Sequence, residues 1–430
     1  MGKLIASTPP MGWNSWDCYG ASVTEEEVRA NALYMATHLK PYGWEYVVVD
    51  IQWYETGANS SLYRPFVELE MDGYSRLIPA PNRFPSSANG AGFKPLADYI
   101  HDLGLKFGIH IMRGIPRQAV HRNTAILGST RTAREIASTN SICAWNTDMY
   151  GVDAKQEGAQ AYYNSLLALY ASWGVDFIKV DDCSRSFIGF TDYFEQEIEL
   201  LRHAIDQCGR DIVLSLSPGP TPIERAEHLK SYANMWRMTN DYWDRWEDLL
   251  FEFEKCHEWS RHVGPGHWPD ADMLPIGRIG IRSCEHGRGE RQSLFTHDEQ
   301  LTMLTLWCIF RSPLMLGCEL RGSDEFTLSL ITNEEVLRVL NHSHGAQQLY
   351  RHSETIAWFS LDDEVGYYLA LFNIGEETKQ IHTSLQSLGL DGAYTIRDLW
   401  KRENLGVVCD TFELEVASHG TRFIRLVAIR

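Results

Sequence analysis

The segment GVDFIKVDDCSR, residues 174–185, constrains the fold more than any other stretch of the chain. Its apolar, β-branched run at 177–180 follows a helix-like stretch and ends at two adjacent carboxylates, Asp181 and Asp182. Such a run predicts a buried parallel strand whose polar chemistry begins where the strand leaves the sheet. A strand end with a solvated acidic turn is the plainer alternative. Lys179 interrupts the run, and because a buried ammonium is costly unless it is paired, we expect an opposite charge or a wet cavity close to it.

The same alternation of an apolar strand and a helix recurs before and after this segment. Thr24 with Glu27, and Thr296 with Glu299, form capping boxes that predict helix starts. Strand-like segments alternate with helical ones at 11–16, 44–50, 106–114, 177–181, 211–219, 234–241, 267–274 and 308–317. This pattern predicts a (β/α)8 TIM barrel, whose active sites lie at the carboxyl ends of the strands. A doubly wound open sheet is the alternative, but the first strand is not followed by a glycine-rich nucleotide motif, and no P-loop occurs.

The chain divides into two predicted domains. The barrel covers 1–340, and its polar insertion at 115–150 is too long for a plain βα connection, which predicts a lid over a site. Residues 341–430 contain short strands bounded by turn residues and no convincing helix, which predicts a C-terminal antiparallel β-sandwich. The fold class is thus α/β, a TIM barrel followed by a sandwich. We expect the sandwich to be a structural domain packed on the barrel, with a sugar-binding accessory module as the alternative.

The composition of this chain argues against some classes of binding partner. A formal net charge of −18 argues against nucleic acid or an anionic membrane as a partner, because either would repel the protein. The N-terminal segment lacks a signal-peptide core and a membrane span, so we expect a cytoplasmic protein. Nine cysteines without short paired spacings indicate neither a zinc site nor a disulfide framework, and Cys143 and Cys183 either pair or, as the cytoplasm favours, stay free. The sequence leaves open whether the chain forms a homo-oligomer.

Asp181 and Asp241, at the ends of two predicted strands, suit glycoside hydrolysis. That reaction needs two carboxylates, one to attack the anomeric carbon or activate water and one to protonate the leaving oxygen. Lys179 would keep Asp181 ionised, and two flanking aromatic residues would give Asp241 a drier setting in which it keeps its proton. Arg237 lies four residues before Asp241, so strand periodicity predicts that both side chains face the barrel interior. The spacing of these residues alone does not distinguish a pair of catalytic carboxylates from other uses of acidic strand ends.

A metal site is the competing use of acidic strand ends. His267, Asp270 and Asp272 are candidate ligands, together with His110 on another strand. The His-x-His strand motif of barrel metallohydrolases is absent, however, and no His-Glu-x-x-His sequence occurs. We therefore expect catalysis without a metal or another cofactor.

Several motifs stand in the order found in one glycosidase family. They are TPPMGWNSW, the strand ending at Asp50 before Trp53, FIKVDDC, WRMTND and PDADML. Over about residues 8–340 the chain resembles glycoside hydrolase family twenty-seven, the α-galactosidase and α-N-acetylgalactosaminidase family, which also carries a terminal β-sandwich. The resemblance implies a retaining double-displacement mechanism without metal, with Asp181 as nucleophile and Asp241 as acid/base. It also implies that the sugar is contacted by Trp16, Asp50, Lys179, Arg237 and Asp272.

Ile51 departs from the family pattern beside Asp50. α-Galactosidases of the family typically have two consecutive aspartates here, and the second resembles a partner for the sugar's 6-hydroxyl. Ile51 cannot hydrogen-bond, so a galactose 6-hydroxyl would face apolar surface at a cost of about 1–3 kcal/mol. β-L-Arabinopyranose has the stereochemistry of α-D-galactose without the exocyclic group, and family members that resemble this chain at the Asp-Ile step are β-L-arabinopyranosidases. The resemblance thus implies an arabinopyranosidase with weaker α-galactosidase activity.

A second departure favours another substrate. The family's α-galactosidases usually place Glu-Trp near the sugar's 2-substituent, where this chain has Ser217 and Pro218. A small serine is more similar to the α-N-acetylgalactosaminidases, which need room for the acetamide, so that activity is the alternative. We give Ile51 more weight, because an unmatched polar group is penalised whereas an enlarged pocket can hold water. His110, where the family often has tyrosine, is expected with Ile51 and Ser217 to bind the sugar. The remote alternative is a non-catalytic protein that binds the same small carbohydrate.

Overall fold

The barrel predicted for the first part of the chain is present. The structure is a computed structural model that describes residues 4–60, 62–187, 190–284 and 288–429. One parallel sheet contains β1 (Met11–Asn14), β2 (Tyr46–Val49), β3 (Lys106–Met112), β4 (Phe177–Asp181), β5 (Val213–Leu216), β6 (Met235–Arg237), β7 (Trp268–Asp270) and β8 (Leu314–Leu316). Each strand lies beside the next one in the chain, and β8 lies beside β1. A parallel bridge between Leu274, just after β7, and Leu316 of β8 closes the circle.

Helices surround this sheet. They are α1 (Trp16–Tyr19), α2 (Glu25–His38), α3 (Lys94–Asp102), α4 (Arg117–Arg122), α5 (Ala133–Ile136), α6 (Ala159–Trp173), α7 (Glu195–Gln207), α8 (Ala226–Tyr232), α9 (Trp246–Trp259), α10 (His297–Phe310), α11 (Glu325–Ile331) and α12 (Glu334–His342). The capping boxes predicted at Thr24 and Thr296 are confirmed, since each hydroxyl accepts from the N–H of the glutamate three residues on. None of the helices in the described ranges is long and apolar enough to cross a membrane.

Several predicted elements differ from the observed ones at their ends. The strand expected at 234–241 ends at Arg237, so its last four residues form a loop. The strand expected at 308–317 was wrong in its first part, because 308–310 belong to α10. The helical segment predicted between the strands at 177–181 and 211–219 begins only at Glu195, after a short strand, Phe190–Tyr193. Short buried apolar runs satisfy helical and strand patterns equally, and strand ends depend on neighbouring strands that the sequence does not reveal.

The insertion after β3 forms a small sheet of its own beside the barrel. Its strands are Ile115–Pro116, Met149–Val152 and Ala137–Ile142, and it also carries α4 and α5. Two hairpins extend other loops: Ser184–Phe187 with Phe190–Tyr193 after β4, and Arg278–Ile279 with Arg291–Gln292 after β7. Cys143 in the insertion and Cys183 after β4 are free thiols, so the alternative of a disulfide between them is not realised.

The predicted β-sandwich follows α12. A six-stranded sheet and a two-stranded sheet are formed by β9 (His344–His352), β10 (Thr355–Asp362), β11 (Gly366–Asn373), β12 (Lys379–Ser384), β13 (Tyr394–Asp398), β14 (Glu403–Val408), β15 (Thr411–Val416) and β16 (Thr421–Ala428). The sandwich packs on α10, whose Thr305 hydroxyl accepts a hydrogen bond from Trp400 at 2.8 Å and whose Thr302 donates to the His419 carbonyl at 2.7 Å. The helix is buried on nearly all sides, in keeping with the mostly apolar sequence of its second half.

Candidate active site

A cavity of about 610 Å³ opens at the carboxyl ends of the barrel strands. Eight of the ten residues predicted for the site line it, namely Trp16, Asp50, Ile51, Lys179, Asp181, Arg237, Asp241 and Asp272. The insertion after β3 contributes Ala144 and Trp145, and the hairpin after β4 contributes Ser184 and Arg185. The insertion therefore forms part of this chain's own cavity.

Lys179 in β4 pairs with Asp50, the residue that follows β2. Its Nζ lies 3.0 Å from Oδ2 of Asp50, which also accepts a hydrogen bond from Asn14 Nδ2 at 2.7 Å. The opposite charge expected near this lysine is thus present. Burial raises the pKa of Asp50, but Lys179, His110 and the hydrogen bonds from Ile51 and Asn14 outweigh it and lower the pKa to about 2. Asp50 is therefore a permanent negative charge in the cavity wall.

Asp181 is the last residue of β4, and its carboxylate is held by His110 of β3. Nε2 of His110 lies 2.8 Å from Oδ2 of Asp181, and because an ionised carboxylate only accepts, the ring donates. Burial raises the pKa of Asp181, but the hydrogen bond and charge of His110, followed by the charge of Lys179, bring the pKa below its ordinary value. Asp181 is therefore ionised and fixed in orientation, which is what a nucleophile requires.

His110 lies behind Asp181 instead of in the cavity wall. Its ring is fully buried, and it is absent from the residues that line the cavity. Its Nδ1 has no hydrogen-bond partner in the part of the chain that the structure describes. The structure therefore places the His110 ring against the carboxylate of Asp181 and not in the cavity wall, where the predicted sugar contact would be made.

Asp182, the second carboxylate of the Asp-Asp pair, binds two arginines. It accepts from Arg113 at 2.8 Å and from Arg185, and Arg113 also pairs with Glu197. The side chains of Asp182 and Arg113 are 2% and 1% exposed, so these charges depend on each other for neutralisation. Asp182 also has a φ of +67°, a left-handed conformation that the network must hold in place. The network fixes the backbone beside Asp181 and positions Arg185 at the cavity.

Arg237, the last residue of β6, joins two carboxylates at the cavity wall. Its guanidinium lies 2.7 Å from Asp272 and 3.3 Å from Asp241. It also donates to the carbonyl of Asn240 at 2.6 Å. Asp272 in turn accepts the backbone N–H of Tyr242 at 2.8 Å. Arg237 and Asp241 therefore meet, but Asp241 reaches the arginine from a loop and not, as strand periodicity predicted, along a strand.

The prediction that Asp241 lies in a dry environment was wrong. Its side chain is 61% exposed, whereas Tyr242 and Trp243 are each 3% exposed. Because β6 ends at Arg237, the alternation of a strand no longer applies at residue 241. The two aromatic side chains are buried, and the carboxyl group stays at the opening of the cavity.

Ser217 lies just beyond β5 and does not line the main cavity. It is 2% exposed and lines a separate space of about 20 Å³ in the barrel interior. The next two residues, Pro218 and Gly219, face the main cavity instead. The structure therefore brings Ser217 near the site without bringing it into contact with the space a ligand would fill.

Asp17 lines the cavity but was missed by the sequence analysis. The strand expected at 11–16 ends at Asn14, and α1 brings Trp16 and Asp17 to the cavity. Oδ2 of Asp17 has no hydrogen-bond partner in the described residues, and burial, together with Asp272, raises the pKa well above its usual value. A neutral carboxyl group there can donate to a ligand hydroxyl. Ser15 before an acidic first turn is a helix-start pattern that could have revealed it.

The candidate metal ligands do not converge on one point. Asp272 is paired with Arg237, and the His267 carbonyl and N–H bond Gly264 across a turn. In the described ranges, the three carboxylate and imidazole groups close enough to hold an ion are Glu195, Glu199 and His228. That group is outside the cavity lining. The acidic strand ends are therefore arranged around arginine and lysine.

Comparisons with known proteins find relatives over nearly the whole chain. A family model described as alpha galactosidase A matches residues 8–157 and 148–342, and a model of the alpha galactosidase C-terminal β-sandwich domain matches 354–426. A variant of a β-L-arabinopyranosidase from Geobacillus stearothermophilus, in complex with arabinose, is 62% identical with a TM-score of 0.97, covering 99% of this chain and 98% of that one. A Bacillus halodurans protein with a proposed α-N-acetylgalactosaminidase activity is 57% identical with a TM-score of 0.90, covering 100% and 99%. An α-galactosidase of Cyamopsis tetragonoloba is 26% identical over 97% of this chain and 86% of its own length.

Replacing Lys179 by Met should destabilise the fold far more than the same change at Lys94. K179M leaves the buried carboxylate of Asp50 without its cation, which costs about 3–5 kcal/mol in comparable pairs. The exposed pair of Lys94 with Asp98 contributes at most about 1 kcal/mol, so K94M is the matched control. Thermal unfolding midpoints near neutral pH measure both effects. Equal midpoints for the two variants would contradict a stabilising role of the buried pair.

The same variant has an expected pH dependence. The pKa of Asp50 is about 2 in the wild type, so its stabilising contribution is present at neutral pH and is lost only as the pH falls through that value. In K179M the buried carboxyl group takes up a proton at a higher pH. The difference in midpoint between K179M and wild type should therefore shrink as the pH falls from neutral.

Proposed function

Because the chain belongs to glycoside hydrolase family 27, the α-galactosidase family of glycosidases, we propose that it is a retaining enzyme that releases terminal β-L-arabinopyranose and, less efficiently, α-D-galactose. The observation that carries this choice of sugar is the side chain of Ile51 in the cavity wall next to Asp50. The Geobacillus relative, a β-L-arabinopyranosidase at 62% identity, supports the same choice.

Ile51 makes the wall beside Asp50 apolar. It is 2% exposed and packs with the barrel core, and its backbone N–H donates to Oδ1 of Asp50 at 2.8 Å. A galactose 6-hydroxyl directed at this side chain loses water without gaining a partner, at a cost of about 1–3 kcal/mol. Arabinopyranose has the same ring stereochemistry and no exocyclic group to bury, so it avoids that cost.

Asp181 is the proposed nucleophile. A carboxylate oxygen attacks the anomeric carbon, the bond between that carbon and the aglycone oxygen breaks, and a glycosyl ester of Asp181 forms. The donor from His110 and the charge of Lys179 favour the ionised carboxylate that the attack needs. Charged groups of Asp50, Lys179 and Asp272 are available to the sugar hydroxyls in the same cavity.

Asp241 is the proposed acid/base. It gives its proton to the departing oxygen and then takes one from the water that hydrolyses the ester. Its exposed position lets it exchange protons with solvent between turnovers, and Arg237, at 3.3 Å, holds the carboxyl group toward the cavity. Two carboxyl groups in different environments suit two different roles.

α-N-Acetylgalactosaminidase activity is the second candidate. The Bacillus halodurans relative and the small side chain of Ser217 favour it. Because Ser217 does not line the main cavity, however, its small size creates no room for an acetamide there. This observation ranks the acetamido sugar below arabinopyranose.

Hydrolysis of three p-nitrophenyl glycosides, measured side by side, tests the proposal: the β-L-arabinopyranoside, the α-D-galactopyranoside and the α-N-acetylgalactosaminide. We expect kcat/KM to be highest for the arabinopyranoside and lowest for the acetamido sugar. D181N should abolish turnover and retain binding of free arabinose, because an amide of the same shape cannot attack the sugar. Leading turnover of the acetamido sugar would contradict the ranking. Binding without turnover in the wild type would favour a non-catalytic carbohydrate-binding protein.

Ile51→Asp should move the preference toward galactose. The new carboxylate can accept from the 6-hydroxyl, so the ratio of kcat/KM for galactoside over arabinopyranoside should rise by roughly 10- to 100-fold. I51A is the control, because it enlarges the space without adding an acceptor and should change the ratio much less. The same ratio in I51D and wild type would mean that residue 51 does not select the sugar.

His110→Phe should move the acidic limb of the kcat/KM profile to higher pH. The phenyl ring occupies similar space but cannot donate to Asp181, so burial prevails and raises the pKa of that carboxyl group. The nucleophile is then protonated, and inactive, at a pH where the wild type still works. H110Q retains a donor and should keep the limb near its original position. A lower rate with an unmoved limb in H110F would assign His110 to packing alone.

A further inference from the structure

Three aromatic side chains form a continuous row from the sugar cavity to its opening. The rings of Trp16 and Tyr63 are stacked, with 6.1 Å between centroids and 15° between planes. The ring of Tyr63 lies 5.6 Å from that of Trp145, at an inclination of 47°. All three residues line the same cavity. We call Tyr63 and Trp145 the aromatic rim.

The charged side chains of the cavity floor are buried, whereas apolar side chains at the opening are exposed. The side chains of Asp50 and Asp181 are 2% and 11% exposed, whereas Trp145 is 41% and Leu62 is 78% exposed. Contiguous exposed apolar side chains at the edge of a cavity are typical of a surface that contacts a ligand. A charged floor that suits sugar hydroxyls therefore passes into an opening that is lined by exposed apolar side chains together with Asp241.

A single sugar ring leaves part of this cavity unfilled. A volume of about 610 Å³ lies in the range that encloses a whole drug-sized ligand. Asp241, which would protonate the leaving oxygen, is 61% exposed and lines the same cavity. The bond that breaks is therefore directed toward the opening, and the group beyond that bond must lie against the residues of the opening.

We propose that the aromatic rim is an aglycone subsite that binds a second sugar ring, an inference that rests on the proposed glycosidase function. A pyranose ring presents an apolar face of C–H groups that packs on aromatic rings. The ring planes of Tyr63 and Trp145 are inclined by 47°, so the two rings form a bent surface. A flat aryl group can lie against only one of these two rings. The substrate class is then a glycan with a terminal arabinopyranosyl unit, and not the glycoside of a small alcohol.

The test compares methyl β-L-arabinopyranoside with a β-L-arabinopyranosyl disaccharide in wild type, W145A, W145F and F251A. Both substrates lose an alkyl alcohol, so the ratio of their kcat/KM values reports the second ring. We expect wild type to hydrolyse the disaccharide with a higher kcat/KM than the methyl glycoside. W145A should lower this ratio about tenfold, and W145F should change it little. The inhibition constant of free L-arabinose, which reports the glycone site alone, should not change. Phe251 is 47% exposed on α9 and does not line the cavity, so F251A controls for removal of an exposed aromatic ring.

An unchanged ratio in W145A, with unchanged inhibition by arabinose, would overturn the subsite. Slower hydrolysis of the p-nitrophenyl arabinopyranoside alone, with the disaccharide unaffected, would assign the rim to aromatic aglycones and overturn the assignment to a sugar. The ratio is measured with whichever glycone the wild type hydrolyses, so a wrong choice of glycone leaves this test intact. A wild type that hydrolyses none of the three aryl glycosides would overturn the proposed function, and the subsite with it.

Discussion

The positive charge of Lys179 inside the barrel is the constraint on which the site depends. The strands of a closed barrel direct alternate side chains inward, so a lysine in the middle of β4 enters an interior that excludes most water. Asp50 neutralises this charge at 3.0 Å, and Lys179 in turn lowers the pKa of Asp181. The residue that interrupts an apolar strand is thus the one that makes a polar cavity floor stable. Without it, two buried carboxylates would repel each other or take up protons.

The two carboxyl groups of the proposed reaction obtain different environments from different parts of the same architecture. Asp181 ends a hydrogen-bonded strand, so the neighbouring strand can supply His110 directly behind it. Asp241 lies four residues beyond the end of β6, where the chain has left the sheet, and its carboxyl group contacts Arg237 at 3.3 Å. A buried, oriented group and an exposed, exchangeable one follow from whether the residue lies inside or beyond the sheet.

The sequence allowed the barrel, the sandwich and the capping boxes to be predicted, because periodicity and capping are local properties of the chain. It also allowed the partner of Lys179 to be expected, since a buried charge must be neutralised. The residues at which strands end could not be predicted from the sequence, because a strand ends where its neighbours stop supplying hydrogen bonds. That is why Asp241 was expected in a dry interior and why Asp17 was overlooked. His110 was expected at the sugar because it stands where the family often has tyrosine, and its contact with Asp181 becomes known only when β3 and β4 pair.

Specificity in this fold can change without a change in the barrel. The turn that carries Ile51 is held by its neighbours: Gln52 donates to Asp148 at 2.9 Å, and the indole of Trp53 donates to the His110 carbonyl at 2.7 Å. The hydrogen bond from Ile51 to Asp50 is made by the backbone N–H, so it does not depend on which side chain residue 51 carries. The aromatic rim likewise comes from loops after β2 and β3. In the proposed function, both ends of the substrate would therefore be recognised by side chains outside the charged floor, which would let the same two proposed catalytic carboxylates serve different sugars and different aglycones.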